Sequence, residues 1–177
     1  MARRRRHGYT TGACAAAATL GAALLPALQE SVEAVTLPLP AGFEATFSLK
    51  EGRFTAERAS ACVIKDAGDD PDVTDGCELW AEVERLPAGE EVELVGGSGI
   101  GRVTRPGLAV AVGEWAINPV PRQMIIAAVH SVFPRGGVRV TLSIPDGEAR
   151  AKKTLNERLG IIGGLSLLGT TGGGTPV

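Results

Sequence analysis

The sequence has few of the side chains that build disulfide frameworks and metal sites. Its 177 residues include three cysteines and two histidines. Cys14, Cys62 and Cys77 form no C-x-x-C pair, and their odd number argues against a disulfide framework and fits a reducing cytoplasm. Because His7 and His130 are the only imidazoles, a zinc site would need ligands from distant, unpatterned positions. We therefore expect that the protein itself binds no metal.

Aromatic residues are also few, and the net charge is small. Aromatics make up 4% of the chain, and 18 basic residues against 20 acidic ones leave a net charge of -2. The molecule as a whole therefore has no electrostatic attraction for nucleic acids or anionic membranes. Arginines fill positions 3–6, but no stacking aromatics accompany them, so we expect no nucleic-acid partner. No apolar run reaches the ~18 residues that span a bilayer, so we expect no membrane partner.

The beginning of the chain has some features of an export signal. The arginines at 3–6 precede an apolar stretch at 13–28, which is the order of the basic and apolar regions of a secretory signal. Against this interpretation, Thr10-Thr11-Gly12 separates the two parts and Pro26 lies late in the apolar stretch. No small-x-small cleavage pattern follows Leu28 directly. We therefore expect a cytoplasmic protein.

A run of small residues follows two threonines near the start of the sequence. Residues 8–20 are GYTTGACAAAATL. Alanine favours helix, and Thr10 or Thr11 can cap a first turn whose backbone N–H groups lack partners within the helix. Such a helix start can bind an anion, and its small side chains allow a flat ligand or another backbone to come close. A packed core helix with an ordinary threonine cap is the alternative.

Apolar periodicity and turn residues predict one α+β domain over residues 11–168. We expect a mixed or largely antiparallel sheet packed on a few helices, with the alanine-rich helix at the centre. Residues 1–10 are predicted to be a basic tail and 169–177 a glycine-rich end. Helices are predicted at 11–29, from Asn118 to just before Pro134, and through Lys152 and Lys153. Strands are predicted at 34–39, 43–50, 53–56, 59–64, 78–84, 92–95, 102–105 and 138–144. Within this scheme Glu51-Gly52 is a hairpin turn, and 78–84 is a surface strand.

Two loops have compositions that are typical of ligand sites. Residues 96–101 are GGSGIG, which matches neither G-x-G-x-x-G nor the phosphate-loop pattern, so a bulge or hairpin loop is favoured. Residues 65–76 contain five aspartates. An EF-hand register fails because its glycine position falls on Asp75 and its twelfth position on Ala81. This aspartate loop is therefore either solvated or a site where a carboxylate accepts a proton or balances a cationic ligand.

Basic residues recur at scattered positions along the chain. Each pair alone is typical of a solvated face, but together with the helix start they could hold a ligand with several carboxylates. They are the arginines at 3–6, Arg102, Arg105, Arg122, Lys152, Lys153 and Arg158.

Four long segments stand in a fixed order over nearly the whole chain. They are GYTTGACAAA at 8–17, VIKDAGDDPDVT at 63–74, VTRPGL at 103–108 with GE at 113–114 and AINPVPR at 116–122, and the stretch from GE at 147–148 to GIIGG at 160–164. Together these segments resemble the cobalt-precorrin-5B C(1)-methyltransferases of anaerobic cobalamin biosynthesis.

The resemblance implies methyl transfer from S-adenosylmethionine to ring carbon 1 of a carboxylate-rich tetrapyrrole that carries cobalt as part of the substrate. Such a reaction needs anchors for carboxylates and a fixed alignment of the methyl group with the ring carbon. The expected substrate-binding residues are Tyr9, Thr10, Thr11, Gly12, Lys65, Arg105, Asn118 and Arg122. The candidate catalytic carboxylates are Asp66, Asp69, Asp70 and Asp72. The sequence assigns no residues to S-adenosylmethionine.

The sequence departs from the family pattern at its end. Family members continue past a Leu-Gly-Thr-Thr-Gly segment into a second domain, whereas here residues 168–172 lead to GGTPV at 173–177. Two interpretations stay open: the methyltransferase or its amino-terminal substrate domain, and a non-catalytic tetrapyrrole-binding or partner domain. If the absent part supplies the methyl-donor pocket, this chain binds substrate without turning it over. A second chain or domain that completes the enzyme is then an expected partner.

Overall fold

The computed structural model describes residues 8–69, 72–170 and 172–174, and helix α1 (Thr11–Leu28) lies at the centre of its core. Every residue from Thr11 to Ala23 is buried. A helix that is apolar on all sides has to be enclosed, and the small side chains of this one let neighbouring elements approach closely on each side. It packs against a second helix, α2 (Pro119–Val132), and against the main sheet.

The main sheet has five strands and covers one side of α1. The strands of the described chain are β1 (Gly8–Tyr9), β2 (Ala34–Pro38), β3 (Glu44–Ser48), β4 (Glu51–Phe54), β5 (Arg58–Ile64), β6 (Glu78–Arg85), β7 (Val92–Gly96), β8 (Arg102–Val103), β9 (Val138–Ser143), β10 (Ile161–Ile162) and β11 (Gly173–Gly174), and two short helices are α3 (Gly147–Ala151) and α4 (Asn156–Leu159). The strand order of the main sheet is β4-β5-β6-β9-β7, antiparallel except for the parallel pair of β7 and β9. This architecture confirms the predicted α+β class with a largely antiparallel sheet and a central alanine-rich helix.

Strand β6 occupies the middle of the main sheet and, as predicted for a surface strand, one of its faces is partly exposed. Leu79, Ala81 and Val83 are buried, whereas the alternate residues of the strand are partly exposed. The period-two pattern identified the two faces of the strand correctly. It carried no information about the two strand neighbours, because pairing on both edges depends on residues far away in the sequence.

The predicted hairpin turn at Glu51-Gly52 is wrong, because both residues belong to β4. β3 pairs back with β2, and β4 pairs with β5 through Glu51 opposite Cys62 and Gly52 opposite Ala61. A Cβ atom at Gly52 would lie 2.9 Å from Leu25 Cδ1. The glycine therefore permits a close approach of strand and helix rather than a turn.

The predicted ends of two elements also change. The helix expected to run through Lys152 and Lys153 stops at Ala151, and the strand expected at 102–105 shortens to Arg102–Val103, which pairs with β10.

The loop at 96–101 forms a crossing of three backbone segments, not the expected bulge or hairpin. A Cβ atom at Gly99, which has φ +79°, would lie 1.9 Å from Ile144 O, and one at Gly164 would lie 2.2 Å from Gly99 O. Leu165 N–H donates to Gly99 O at 2.8 Å, and Gly101 N–H donates to Leu165 O at 2.9 Å. The crossing directs residues 165–169 toward the start of α1.

Both ends of the described chain contribute to this region. β1 pairs with β11, although residues 8 and 9 were predicted in the tail and 173–174 in the glycine-rich end. The arginines at 3–6 and the last three residues lie outside the described part of the chain. The division into tail, domain and end therefore stays a prediction.

Helix α1 also corrects the expectation about apolar length. It is the one helix in the described ranges that is long and apolar enough to cross a membrane, and 72% of it is buried inside the fold. Its contacts with α2, β5 and β6 are those of a core helix.

Replacing Gly99 tests the backbone crossing. Gly99→Ala adds strain from the positive φ and a clash with Ile144 O, so we expect a loss of unfolding free energy at least ~2 kcal/mol larger than for Gly107→Ala. Gly107 has φ +99°, and a Cβ atom added there would meet nothing within 4 Å. Gly107→Ala therefore measures the cost of the backbone strain without a clash. Urea unfolding measures both variants, and equal losses would contradict the crossing.

Candidate functional site

Four segments of the chain meet at a cavity of about 280 Å³ beside the start of α1. We call it the amino-terminal cavity. Its walls consist of residues 9–11, the aspartate loop with Lys65 and Asp72, residues 154–156 and the segment 165–169. The segments are distant in sequence, so the cavity depends on the complete fold of the described domain.

Lys65 is a buried cation in the wall of this cavity. Its side chain is 4% exposed, and Nζ donates to Asp72 Oδ2 at 3.0 Å and to Thr74 Oγ1 at 2.6 Å. A buried ammonium group needs such partners because burial without them is costly. An ammonium group has three N–H donors. Within residues 8–69, 72–170 and 172–174, the Lys65 ammonium group uses two of them, in the bonds to Asp72 and Thr74. Its third N–H therefore has no hydrogen-bond partner among these described residues.

Asp72 is the counterion of Lys65. Its Oδ1 accepts from Thr74 N–H at 2.8 Å and from the Thr74 hydroxyl at 2.7 Å. Partial burial raises the pKa of Asp72, but the bonds from Thr74 and the Lys65 ammonium outweigh it and hold the pKa below its ordinary value. The carboxylate is thus charged at neutral pH and is a weak proton acceptor.

The other candidate carboxylates have different surroundings. Asp66 Oδ1 accepts from Gly68 N–H at 2.8 Å, and the Asp66 carbonyl accepts from Tyr9 N–H at 2.8 Å. Asp69 is exposed, and Asp70 lies outside the described residues. Of the candidate carboxylates that the structure describes, Asp72 alone lines the amino-terminal cavity.

Arg150, which lies outside the cavity wall, binds the backbone of the aspartate loop, and the sequence did not indicate this role. Its Nη1 donates to Val73 O and to Asp75 O, both at 2.8 Å, and its Nε donates to Asp146 Oδ2 at 2.7 Å. The local pair of Asp146 and Arg150 follows from helix spacing. The contacts with a loop some seventy residues earlier have no local pattern that could predict them.

The start of α1 binds the protein's own backbone. Gly12 N–H donates to Leu168 O at 2.9 Å, and Ala13 N–H donates to the capping hydroxyl of Thr10 at 3.1 Å. The Thr11 hydroxyl donates to Ser166 O at 3.2 Å and accepts from Leu168 N–H at 2.9 Å. These bonds correct the expectation of unpartnered amides at this turn, because the segment 166–168 takes the place expected for an anion.

The small side chains of α1 likewise accommodate the protein itself. A Cβ atom at Gly12 would lie 2.5 Å from Pro121 Cγ and 2.7 Å from Leu168 O. Gly12 therefore lets α2 and the segment 166–168 approach, and the alanines that follow it are buried in the core. The structure thus favours the packed core helix over a surface for a flat ligand along α1, although Thr10 and Thr11 still face the cavity.

Four expected substrate-binding residues lie outside the cavity wall, namely Gly12, Arg105, Asn118 and Arg122. Arg105 is exposed and donates through Nη1 to Arg158 O at 3.2 Å. Asn118 precedes α2, where its N–H donates to Leu167 O at 3.1 Å and its carbonyl accepts from Arg122 N–H at 3.0 Å. The cavity instead includes Asn156, whose Nδ2 donates to Gly164 O at 3.0 Å. Asn156 stood in the fourth sequence segment, but nothing there distinguished it from its neighbours.

The cysteines do not supply a reactive thiolate. All three are free and buried, and burial raises the pKa of Cys14 and of Cys62 to about 12 and that of Cys77 to about 11. In the part of the chain that the structure describes, no group of three or more His, Cys, Asp or Glu residues is placed to hold a metal ion.

The fold and the cavity together define an α+β domain with a cavity beside its core helix, and the Lys65–Asp72 pair lies in the wall of this cavity. The family model of CbiD matches residues 1–176, so this chain belongs to the CbiD family. It is 60% identical over 172 residues to the cobalt-precorrin-5B C(1)-methyltransferase of Pelobacter propionicus, which covers 94% of this chain and 44% of that protein. It is 56% identical over 173 residues to the protein of the same name from Citrifermentans bemidjiense, covering 94% of this chain and 48% of that one.

A solved structure agrees with the fold. The 1.9 Å crystal structure of a cobalamin biosynthesis protein, cbiD from Archaeoglobus fulgidus, matches with a TM-score of 0.72 at 36% identity. The match covers 98% of this chain and 55% of that one. The chain thus spans about half the length of the curated relatives that it matches, and the match confirms the family resemblance of the four sequence segments.

Removing the Arg150 guanidinium tests its hold on the aspartate loop. Arg150→Gln loses hydrogen bonds from a charged donor, so we expect a loss of ~1–3 kcal/mol in unfolding free energy and faster hydrogen exchange at residues 65–76. Arg53→Gln is the control, because the Arg53 side chain is 83% exposed, and it should change stability by less than ~0.5 kcal/mol. Unchanged exchange in Arg150→Gln would contradict the role.

Acid titration tests the charge pair. Because folding lowers the pKa of Asp72, its stabilising contribution is complete above the ordinary carboxyl pKa of ~4 and is lost as the pH falls through the lowered folded value. The parent chain should therefore be more stable than Asp72→Asn at pH 7, and the difference should shrink below pH ~4. Urea unfolding across pH measures it, and a difference that stays constant with pH would contradict the pair.

Proposed function

We propose that this chain is the amino-terminal half of a cobalt-precorrin-5B C(1)-methyltransferase and that its amino-terminal cavity holds a carboxylate arm of the tetrapyrrole substrate. The relatives' names support the reaction, and membership of the CbiD family supports a place in cobalamin biosynthesis. The observation that carries the assignment of the site is the buried Lys65 ammonium, which keeps one N–H for a ligand.

The size of the cavity determines which part of the substrate it can take. Its volume of about 280 Å³ is at the lower limit for drug-sized ligands, whose sites measure ~300–1,000 Å³. The cavity therefore suits a single arm, and the macrocycle would lie at its mouth, where Leu168 is 47% exposed. Apolar contact there and a charge-assisted hydrogen bond at Lys65 would orient one edge of the ring.

In this proposal Asp72 is a positioning residue. It holds the Lys65 ammonium at the cavity wall, and its low pKa makes it a poor proton acceptor. Asp66, Asp69 and Asp70 stay predicted catalytic carboxylates, and replacing each in turn with Asn while measuring methyl transfer by a full-length relative tests them.

S-adenosylmethionine is the proposed methyl donor, but the residues of this cavity do not suit it. Asp72, the carboxylate that could face a sulfonium, is already bonded to Lys65 and Thr74, and the volume is too small for a nucleoside together with a substrate arm. We assign no step to the donor within this half of the protein. The cytoplasm as the site of the reaction is likewise a proposal.

A non-catalytic tetrapyrrole-binding domain is the second candidate, and the poor fit of the amino-terminal cavity to S-adenosylmethionine favours it. Methyl transfer by this chain mixed with the carboxy-terminal half of the Pelobacter propionicus relative distinguishes the two candidates. Transfer from S-adenosylmethionine to cobalt-precorrin-5B by the mixture would favour the enzyme half. No transfer, together with tetrapyrrole binding by this chain, would favour the binding domain.

Binding of uroporphyrin, a carboxylate-rich tetrapyrrole, tests the role of Lys65. Lys65→Met removes one charge-assisted hydrogen bond, worth ~1.5–3 kcal/mol, so we expect affinity to fall about tenfold to a hundredfold. Lys153→Met, which removes a cation outside the cavity wall, is the control and should bind within about twofold of the parent chain.

Circular dichroism and urea unfolding check that Lys65→Met is folded, because the change leaves Asp72 without its cation. Asp72 is partly exposed, so we expect the variant to fold with reduced stability. Equal affinity in the folded Lys65 variant and the parent chain would refute the proposed anchor.

A further inference from the structure

An apolar groove of about 450 Å³ lies on the side of the molecule that β2 and α2 form. Leu20, Leu37 and Leu39 are buried beneath it, and Met124 and Ala127 of α2 flank it. No charged side chain among the described residues lines this groove. A concave apolar surface without charges is typical of a contact with another folded unit.

The strand at the groove's edge limits how an occupant can bind. β2 pairs with β3 on one side, and its sheet has two strands in the described part of the chain. Pro38 and Pro40, which line the groove, have no N–H to donate. An occupant therefore cannot readily extend the sheet as a further strand, and it would bind by inserting apolar side chains between β2 and α2.

The described chain ends beside the same groove. A Cβ atom at Gly172 would lie 2.9 Å from Leu39 Cδ2, and one at Gly173 would lie 3.8 Å from Phe43 Cζ. Leu39 lines the groove, and Phe43 is 52% exposed near it. Any polypeptide that continues from residue 174 therefore starts next to this groove, so a tethered unit would reach it at high effective concentration.

We propose that this groove is the docking surface for the carboxy-terminal half that the relatives carry beyond the part matched by this chain. The Pelobacter propionicus protein extends over more than twice the matched length, since the match covers 44% of it. The continuation of the chain from the groove's edge favours that half over a second copy of this chain, which would have no tether there. This inference does not depend on the proposed activity.

Thiol labelling measures whether the groove is covered. Cys14, Cys62 and Cys77 are buried, so a cysteine introduced by Ala127→Cys at an exposed groove position is the reactive thiol of this chain. The same substitution is made at the aligned position of the full-length Pelobacter propionicus protein. Maleimide labelling at each position is followed by mass spectrometry of the peptide that carries it. Val112→Cys, at an exposed residue outside the groove, is the matched control in both proteins.

We expect labelling at position 127 to be at least ~10-fold slower in the full-length relative than in this chain, with rates at position 112 within about twofold. Equal rates at position 127 in the two proteins would overturn the proposal. A labelling rate in this chain that falls as its own concentration rises would also overturn it, because a second copy would then be the occupant. Urea unfolding of each variant confirms that the substitution leaves the fold intact.

Discussion

The closure of residues 166–170 and Gly172 onto the first turn of α1 is the interaction on which the rest of this structure depends. Backbone bonds from Gly12 N–H to Leu168 O and from Thr10 N–H to Gly172 O join residues at opposite ends of the chain. They satisfy donors that a buried helix start would otherwise leave unpaired, which is costly in a protein interior. The same closure forms one wall of the amino-terminal cavity and brings the described end of the chain to the apolar groove.

Lys65 and Asp72 are the charged side chains among the described residues that line that cavity, and they form an ion pair. A lysine that is almost completely buried is stable as a cation only where its hydrogen bonds are supplied, and Asp72 and Thr74 supply two of them. Arg150 fixes the loop that carries both partners. In the proposed function, the third N–H of this buried ammonium group bonds a ligand carboxylate, and an ionic hydrogen bond is stronger at a buried group than at the surface.

The sequence predicted the helices and strands better than it predicted which of them lie next to one another. Alternation of apolar and polar residues identified β6 and its two faces, and alanine content identified α1, because both patterns are local. The middle position of β6, the place of Gly52 within a strand and the backbone crossing at Gly99 depend on contacts between distant segments. For the same reason Lys65 and Asp72 could be named as candidates from one motif, whereas Arg150 and Asn156 could not. The amides of α1 were expected to be available because their partner, the segment 166–168, has no pattern that indicates where it binds.

A crystal structure of this chain with uroporphyrin would show whether Lys65 binds a carboxylate arm of a tetrapyrrole. We predict that one carboxylate of the tetrapyrrole lies within ~2.7–2.9 Å of Lys65 Nζ, with the ring edge at the mouth of the cavity near Leu168. A tetrapyrrole bound elsewhere, with the Lys65 ammonium still bonded to Asp72 and Thr74 and no ligand oxygen near it, would contradict it.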